Sequence, residues 1–171
     1  MKKRRKINFS PAGKRAALAA AAIIGLLIGF WLWLPQSKPK QTPQVYFFKA
    51  EKLYPVSRPI KSANEAIKYL LFGPTKQEAG AGLWTLVPSG LKIKSVQQAG
   101  KTLIIDFDQR LANYSGSAAM IRGLLLQIVF TATDYPGVDQ VRILIGGKGE
   151  VVLGGEGLVI EKPLTRQDLL R

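Results

Sequence analysis

SAAMIRGLLLQIVFTATD, residues 117–134, is the stretch on which the reading of the fold turns. Met120, Ile121, Leu124, Leu125, Ile128 and Ala132 recur at helical spacing, and Leu126, Val129 and Phe130 are apolar as well. A surface helix shows one apolar stripe, whereas a helix apolar over most of its girth is covered on more than one side. The spacing therefore predicts a helix from Ser117 to Asp134 lying across a sheet and stopped by Pro136-Gly137.

Outward from that helix, the flanking segments alternate like strands. Val141 to Ile145 reads as a strand, Gly146-Gly147-Lys148-Gly149 as a tight turn, and Val151 to Leu153 as the returning strand. The glycine cluster lacks the spacing of a phosphate-binding loop and joins two strands, so a hairpin is expected. On the amino-terminal side, Leu91 to Val96 and Leu103 to Phe107 form two strands around a turn at Gly100. Thr75 to Gly90 reads as a loop anchored by Leu83, Trp84, Leu86 and Val87. Before it, Ser62 is the N-cap of a helix with Glu65 at the capping-box position. Ala63, Ile67, Leu70 and Leu71 form its stripe, and Gly73-Pro74 its stop. Val45-Tyr46-Phe47-Phe48 is apolar on both parities, as in a strand covered on both faces, while Pro55 and Pro59 suit Leu53 to Ile60 to an edge strand or an irregular extension. The sum over residues 45–171 is a small two-layer α+β domain, a mixed sheet of about five to six strands with two helices.

A second stretch sets where that domain works. Ala16 to Leu34 holds no charge, proline or strongly polar group. As a helix it covers about 28 Å, close to the roughly 30 Å hydrocarbon core of a bilayer. Lys2, Lys3, Arg4, Arg5, Lys6, Lys14 and Arg15 precede it, against Lys38 and Lys40 just after. This asymmetry keeps the amino terminus in the cytoplasm and sends the rest across the membrane. Trp31 and Trp33 sit where an interfacial belt belongs. A cleaved secretory signal shares the basic start, but its apolar region is shorter and ends in small residues, whereas this one ends Phe-Trp-Leu-Trp-Leu-Pro. The expected order is thus a basic tail (1–15), a transmembrane anchor (16–34), a Pro-rich linker (35–44) and the folded domain (45–171). Gly25 and Gly29 have the spacing that lets two membrane helices approach closely.

The formal net charge is +14, and the 171 residues include neither Cys nor His. That excludes disulfides, Cys-His and Ser-His-Asp nucleophiles and the usual zinc sites. No cofactor is implied. With seven of the 25 basic residues in the tail, the exported part carries 18 basic and 11 acidic residues, a mildly basic surface. Lys92, Lys94 and Lys101 are the basic candidates for an anionic wall polymer or lipid headgroup. Export and the absence of zinc-finger spacing or an aromatic RNA-binding signature argue against nucleic acid. Asp106 and Asp108 share one strand face, and with Glu78 they are the carboxylates a hydrolase would have to use; a solvated face or a helix-adjacent cap is the plainer reading of the pair.

Several of these pieces carry a resemblance when taken in order. Val45-Tyr46-Phe47, the Ala66 to Thr75 run ending Leu-Leu-Phe-Gly-Pro-Thr, Gly82 to Gly90, Ile105-Asp106-Phe107, the Gln127 to Val138 run and Pro163 to Arg166 together resemble the GerMN domain of sporulation and germination proteins similar to GerM. The resemblance implies a small α/β domain akin to ring-building motifs, without known catalytic residues, acting in envelope assembly. GerM-like proteins typically carry two such domains and a lipid-modified Cys, whereas this chain reads as one domain behind a membrane helix. The functional expectation is a non-catalytic, membrane-anchored extracytoplasmic module that binds an envelope protein or itself, with an exposed edge near Leu53 to Ile60 available for strand addition. The alternative is a binder of an anionic wall or lipid ligand.

Overall fold

The computed structural model describes residues 42–154 and 158–170. The expected span 16–34, with Gly25 and Gly29, lies outside them. Among the described residues no helix is long and apolar enough to cross a membrane.

The chain opens with β1 (Gln44–Lys49) and β2 (Lys52–Ser57), an antiparallel hairpin turned by Ala50 at φ 51°. Next come α1 (Ala63–Phe72), α2 (Lys76–Gly80) and the short β3 (Leu83–Trp84), which pairs with the far end of β1. A second hairpin, β4 (Ile93–Ala99) and β5 (Thr102–Phe107), turns at Gly100 and leads into α3 (Ala118–Thr133). The strand β6 (Gln140–Ile145) returns parallel to β5, as a helical crossover allows. The chain closes with β7 (Val151–Leu153), β8 (Leu158–Ile160) and α4 (Arg166–Leu169).

α3 follows the sequence reading closely. Ser117 caps it by accepting from the Met120 N–H, Asp134 ends it, and nine of its residues are buried. One continuous core joins its Ile121, Leu124 and Ile128 with Leu103, Ile105 and Phe107 of β5, Val141, Ile143 and Ile145 of β6, and Ile67 and Leu70 of α1. β5 and β6 alternate strictly between buried and half-buried positions, one face on the core. β1 buries Val45, Phe47 and Phe48, which lie on both parities, as its sequence demanded.

Three expectations need correction. The strands form three sheets, ordered β2-β1-β3, β4-β5-β6 and β7-β8, in place of one mixed sheet of five to six strands. Four helices occur among the described residues where two were expected. The additional α2 and α4 are single turns, too short for periodicity to register. Each is nucleated by a reciprocal capping box, Thr75 with Glu78 and Thr165 with Asp168. Finally, β7 does not return along β6. The turn after Ile145 closes on itself through the Ile145–Lys148 bridge, and β7 pairs with β8.

Candidate functional site

α3 carries three polar residues on the side that meets β1. Gln127, Thr131 and Asp134 are spaced i, i+4, i+7, which places them on one stripe. Gln127 and Thr131 are fully buried. The Gln127 amide donates to the Tyr46 carbonyl (3.1 Å), and its oxygen accepts from the Leu86 N–H (2.7 Å) and the Thr85 hydroxyl (3.2 Å). Thr131 Oγ1 accepts from the Tyr46 N–H at 3.0 Å, and Asp134 Oδ2 from the Gln44 N–H at 2.9 Å. β3 covers this edge of β1 only at Phe48 and Lys49. Over Gln44 to Tyr46 the helix side chains take the place of a neighbouring strand, satisfying backbone groups that burial would otherwise penalise.

Asp134 ties this ladder to the carboxyl-terminal segment. Its Oδ1 accepts from the Tyr46 hydroxyl (3.0 Å) and from Arg166 (3.1 Å). Arg166 also donates to Thr133 Oγ1 and to the Phe130 carbonyl, and lies 4.6 Å from the Phe130 ring centre. A cation placed on the last carbonyls of a helix satisfies them and opposes the helix dipole. Burial, followed by the Asp134 charge, pushes the Tyr46 phenol above its usual value. A groove of about 410 Å³ beside Thr133, Val138 and Arg166 opens here, but the Arg166 donors already face Asp134, Thr133 and Phe130.

The carboxylates are engaged in the fold. Glu78 takes a two-pronged grip from Arg58 at 2.7 and 2.6 Å, and this pair holds its carboxyl down at about 2, ionised throughout the working range. Asp106 accepts from the Gly147 N–H. Asp108 accepts from the Lys92 and Arg110 N–H groups and pairs with the Arg110 guanidinium at 3.5 Å. Both therefore fix turns at one end of β5, and neither caps a helix. Among the described residues, no buried side-chain polar atom lacks a partner.

Beside the Arg58–Glu78 pair runs an open groove of about 450 Å³, walled by Tyr54, Val56, Thr75, Gln77, Glu78 and Leu83. Its β2 wall is the free edge of its sheet. Because Tyr46 directs its N–H and C=O to α3, its opposite number Pro55 faces its own backbone outward. Pro55 offers no N–H, and the neighbouring Ser57 carbonyl is taken by Arg58. The expected strand-adding edge is thus interrupted at its centre. Large apolar side chains remain in solvent: Phe72 at the end of α1 is 81% exposed, with Tyr54 at 47% and Trp84 at 42%.

The family model described as Germane, sporulation and spore germination, matches residues 44–150. The chain belongs to the Germane family. Its fold is similar to solved GerMN domains of the sporulation protein GerM from Bacillus subtilis. The first GerMN domain of GerM superimposes with a TM-score of 0.59 at 22% identity, over 73% of this chain and 97% of that one. The tandem pair of GerMN domains gives 0.55 at 24% identity, covering 78% of this chain and 49% of that one, so this chain spans about half the tandem protein. No curated protein matches the sequence.

The segments that carried the resemblance converge on the braced strand. Tyr46, Thr85, Leu86, Gln127, Thr131, Asp134 and Arg166 come from four separate runs and meet in one network. Sequence reading passed over them singly, although Gln127 and Thr131 were visible as polar residues within an otherwise apolar helix. The basic candidates are dispersed. Lys92 and Lys94 flank Ile93, which pairs with Phe107 at one end of the β4–β5 hairpin. Lys101 sits in the turn at the other end, paired with Asp139 at 2.8 Å. Six residues of β5 separate the two ends, about 20 Å.

Proposed function

We propose that this Germane domain is a non-catalytic interaction module, held at the outer face of the cell membrane by residues 16–34 and serving the assembly of an envelope complex in sporulation or germination. One observation carries the reading: the polar residues of the family's own runs are spent inside the fold bracing β1, while large apolar side chains stay at the surface. A catalytic carboxylate needs freedom to change protonation near its working pH. Glu78 is held far below that range by Arg58, and Asp106 and Asp108 are bound into turns. Phe72, Tyr54 and Trp84 instead supply rigid apolar area of the kind that anchors protein contacts.

The test is a photo-crosslinking residue placed at Phe72 in the full chain, irradiated in intact cells during sporulation. The reading expects a discrete adduct with an envelope protein or a second copy, absent when the same probe replaces Lys101 in the turn of the β4–β5 hairpin. A protein that is folded and at the membrane, yet gives no adduct from Phe72, would overturn it.

A further inference from the structure

The end of the sheet that holds Lys92 and Lys94 has a construction of its own. β4 and β5 fall out of register between Ile93 and Ser95, so Lys94 is an extra residue with no partner across the ladder. Such a bulge redirects the side chain it carries. Here it sends Lys94 past β5 to the turn after β6, a distance of about two strand spacings, roughly 10 Å. The Lys94 ammonium lies 3.7 Å from the point where a Cβ on Gly146 would stand, and Gln109 Nε2 lies 3.4 Å from the same point. Two donors therefore converge over a glycine whose φ of 59° and missing side chain leave the spot open.

Further cations surround it. Phe107 joins the parts, pairing with Ile93 on one side and accepting the Gly146 N–H on the other. Lys148 belongs to the same turn, and Lys92, Lys94 and Lys148 are all exposed. None of the ion pairs Arg58–Glu78, Lys101–Asp139, Arg110–Asp108 and Arg166–Asp134 involves these three lysines. The nearby carboxylates are Asp106, occupied by the Gly147 N–H, Asp108, shared by Arg110 and two backbone amides, and the exposed Glu150.

Placement matters as much as charge. Gln44, where the folded domain begins, is bonded to Asp134 at the carboxyl end of α3. Asp139 just beyond is bonded to Lys101, which places that end of α3 at the start of β5. The Lys94 cluster is at the opposite end of β5.

We propose that Lys94 and Gln109, flanked by Lys92 and Lys148, form a recognition site for a phosphate-bearing polyanion at the end of β5 opposite Gln44. Lysine acts on phosphate as a point charge and needs no planar fork. Exposed single charges each contribute little. A repeating phosphodiester chain gains by meeting several at once. The site is independent of the contact proposed at Phe72, so either can fail alone.

Full-length protein in neutral detergent micelles, titrated with fluorescent inorganic polyphosphate at low salt, tests the site. Combined Lys92→Gln, Lys94→Gln and Lys148→Gln substitution should weaken binding at least about tenfold, while Lys101→Gln leaves it unchanged. Gly146→Asp places a carboxylate beside Lys94 at a φ that Asp and Asn tolerate, so it should weaken binding where Gly146→Asn does not. Thermal melts of every variant establish that the fold is kept, and the Gly146 pair decides the matter if the triple variant unfolds. Absence of binding, or equal loss with Lys101→Gln, would overturn the proposal. So would lysine-dependent capture of phosphatidylglycerol–phosphatidylcholine vesicles without affinity for polyphosphate, which would assign the surface to a bilayer.

Discussion

The Arg58–Glu78 pair makes a quantitative demand on the pH dependence of stability. Glu78 receives both guanidinium nitrogens and the Thr75 N–H at 2.8 Å, and the two side chains are only 15% and 20% exposed. A fall from 4.5 to about 2 is worth about 3.4 kcal/mol at full strength, at 1.36 kcal/mol for each tenfold change. Partial solvent screening of a pair so near the surface reduces this to about 1–2 kcal/mol. The sign follows from the depressed value. The contribution is complete above the unfolded carboxyl's pKa near 4.5, fades as pH falls, and is gone once pH passes about 2. Glu78→Gln should therefore melt roughly 5 °C below the parent at pH 7, and the gap should close steadily between pH 5 and pH 2. Calorimetry of parent and variant across that range measures it, and subtraction removes the general acid destabilisation of so basic a chain. A gap equally wide at pH 7 and pH 2, or none at pH 7, would refute the ion-pair account.

Other positions give independent checks. Asp134→Asn removes the charge that, after burial, holds the Tyr46 phenol up; the Tyr46 titration, followed by NMR of ring-labelled tyrosine, should move down. At Gly123 an added Cβ would collide with Leu86 Cδ1 and press the Phe48 ring at 3.4 Å. Because that Leu86 methyl can swing and Ala favours helix, Gly123→Ala should be close to neutral, whereas Gly123→Val should cost about 1–3 kcal/mol in urea unfolding. If residues 16–34 span the bilayer, full-length protein should stay with membranes through an alkaline carbonate wash, and release into the supernatant would contradict the anchor.

Much of the fold was legible because local signals agreed with tertiary ones. Ser117 and Asp134 bound α3 as its sequence indicated, Gly100 turns the β4–β5 hairpin, and the two parities of β1 are both covered. The sheets were misjudged because alternation reports that a strand exists and is silent on its neighbour. β1 shows the limit: part of its edge is satisfied by Gln127, Thr131 and Asp134, residues some eighty positions away that no periodicity links to Gln44 and Tyr46. The one-turn helices were announced by Thr75 with Glu78 and Thr165 with Asp168, a capping-box signal that reading for apolar stripes overlooks. The basic residues could be named but not placed, since only the hairpin's length shows that Lys101 and Lys94 occupy opposite ends.

Gln127 bears most directly on whether the polar residues of α3 build the fold or act in chemistry. Gln127→Met keeps an unbranched side chain of similar size while leaving the Leu86 N–H and the Tyr46 carbonyl without their partner beside a fully buried position. Each abandoned group costs about 1–3 kcal/mol, so a loss of about 2–5 kcal/mol is expected, a large part of the roughly 5–15 kcal/mol that holds a domain together. Urea unfolding of the variant should show that loss, with exchange of the Leu86 amide sharply accelerated. A variant as stable as its parent, with Leu86 still protected, would contradict the structural role assigned here to the α3 ladder.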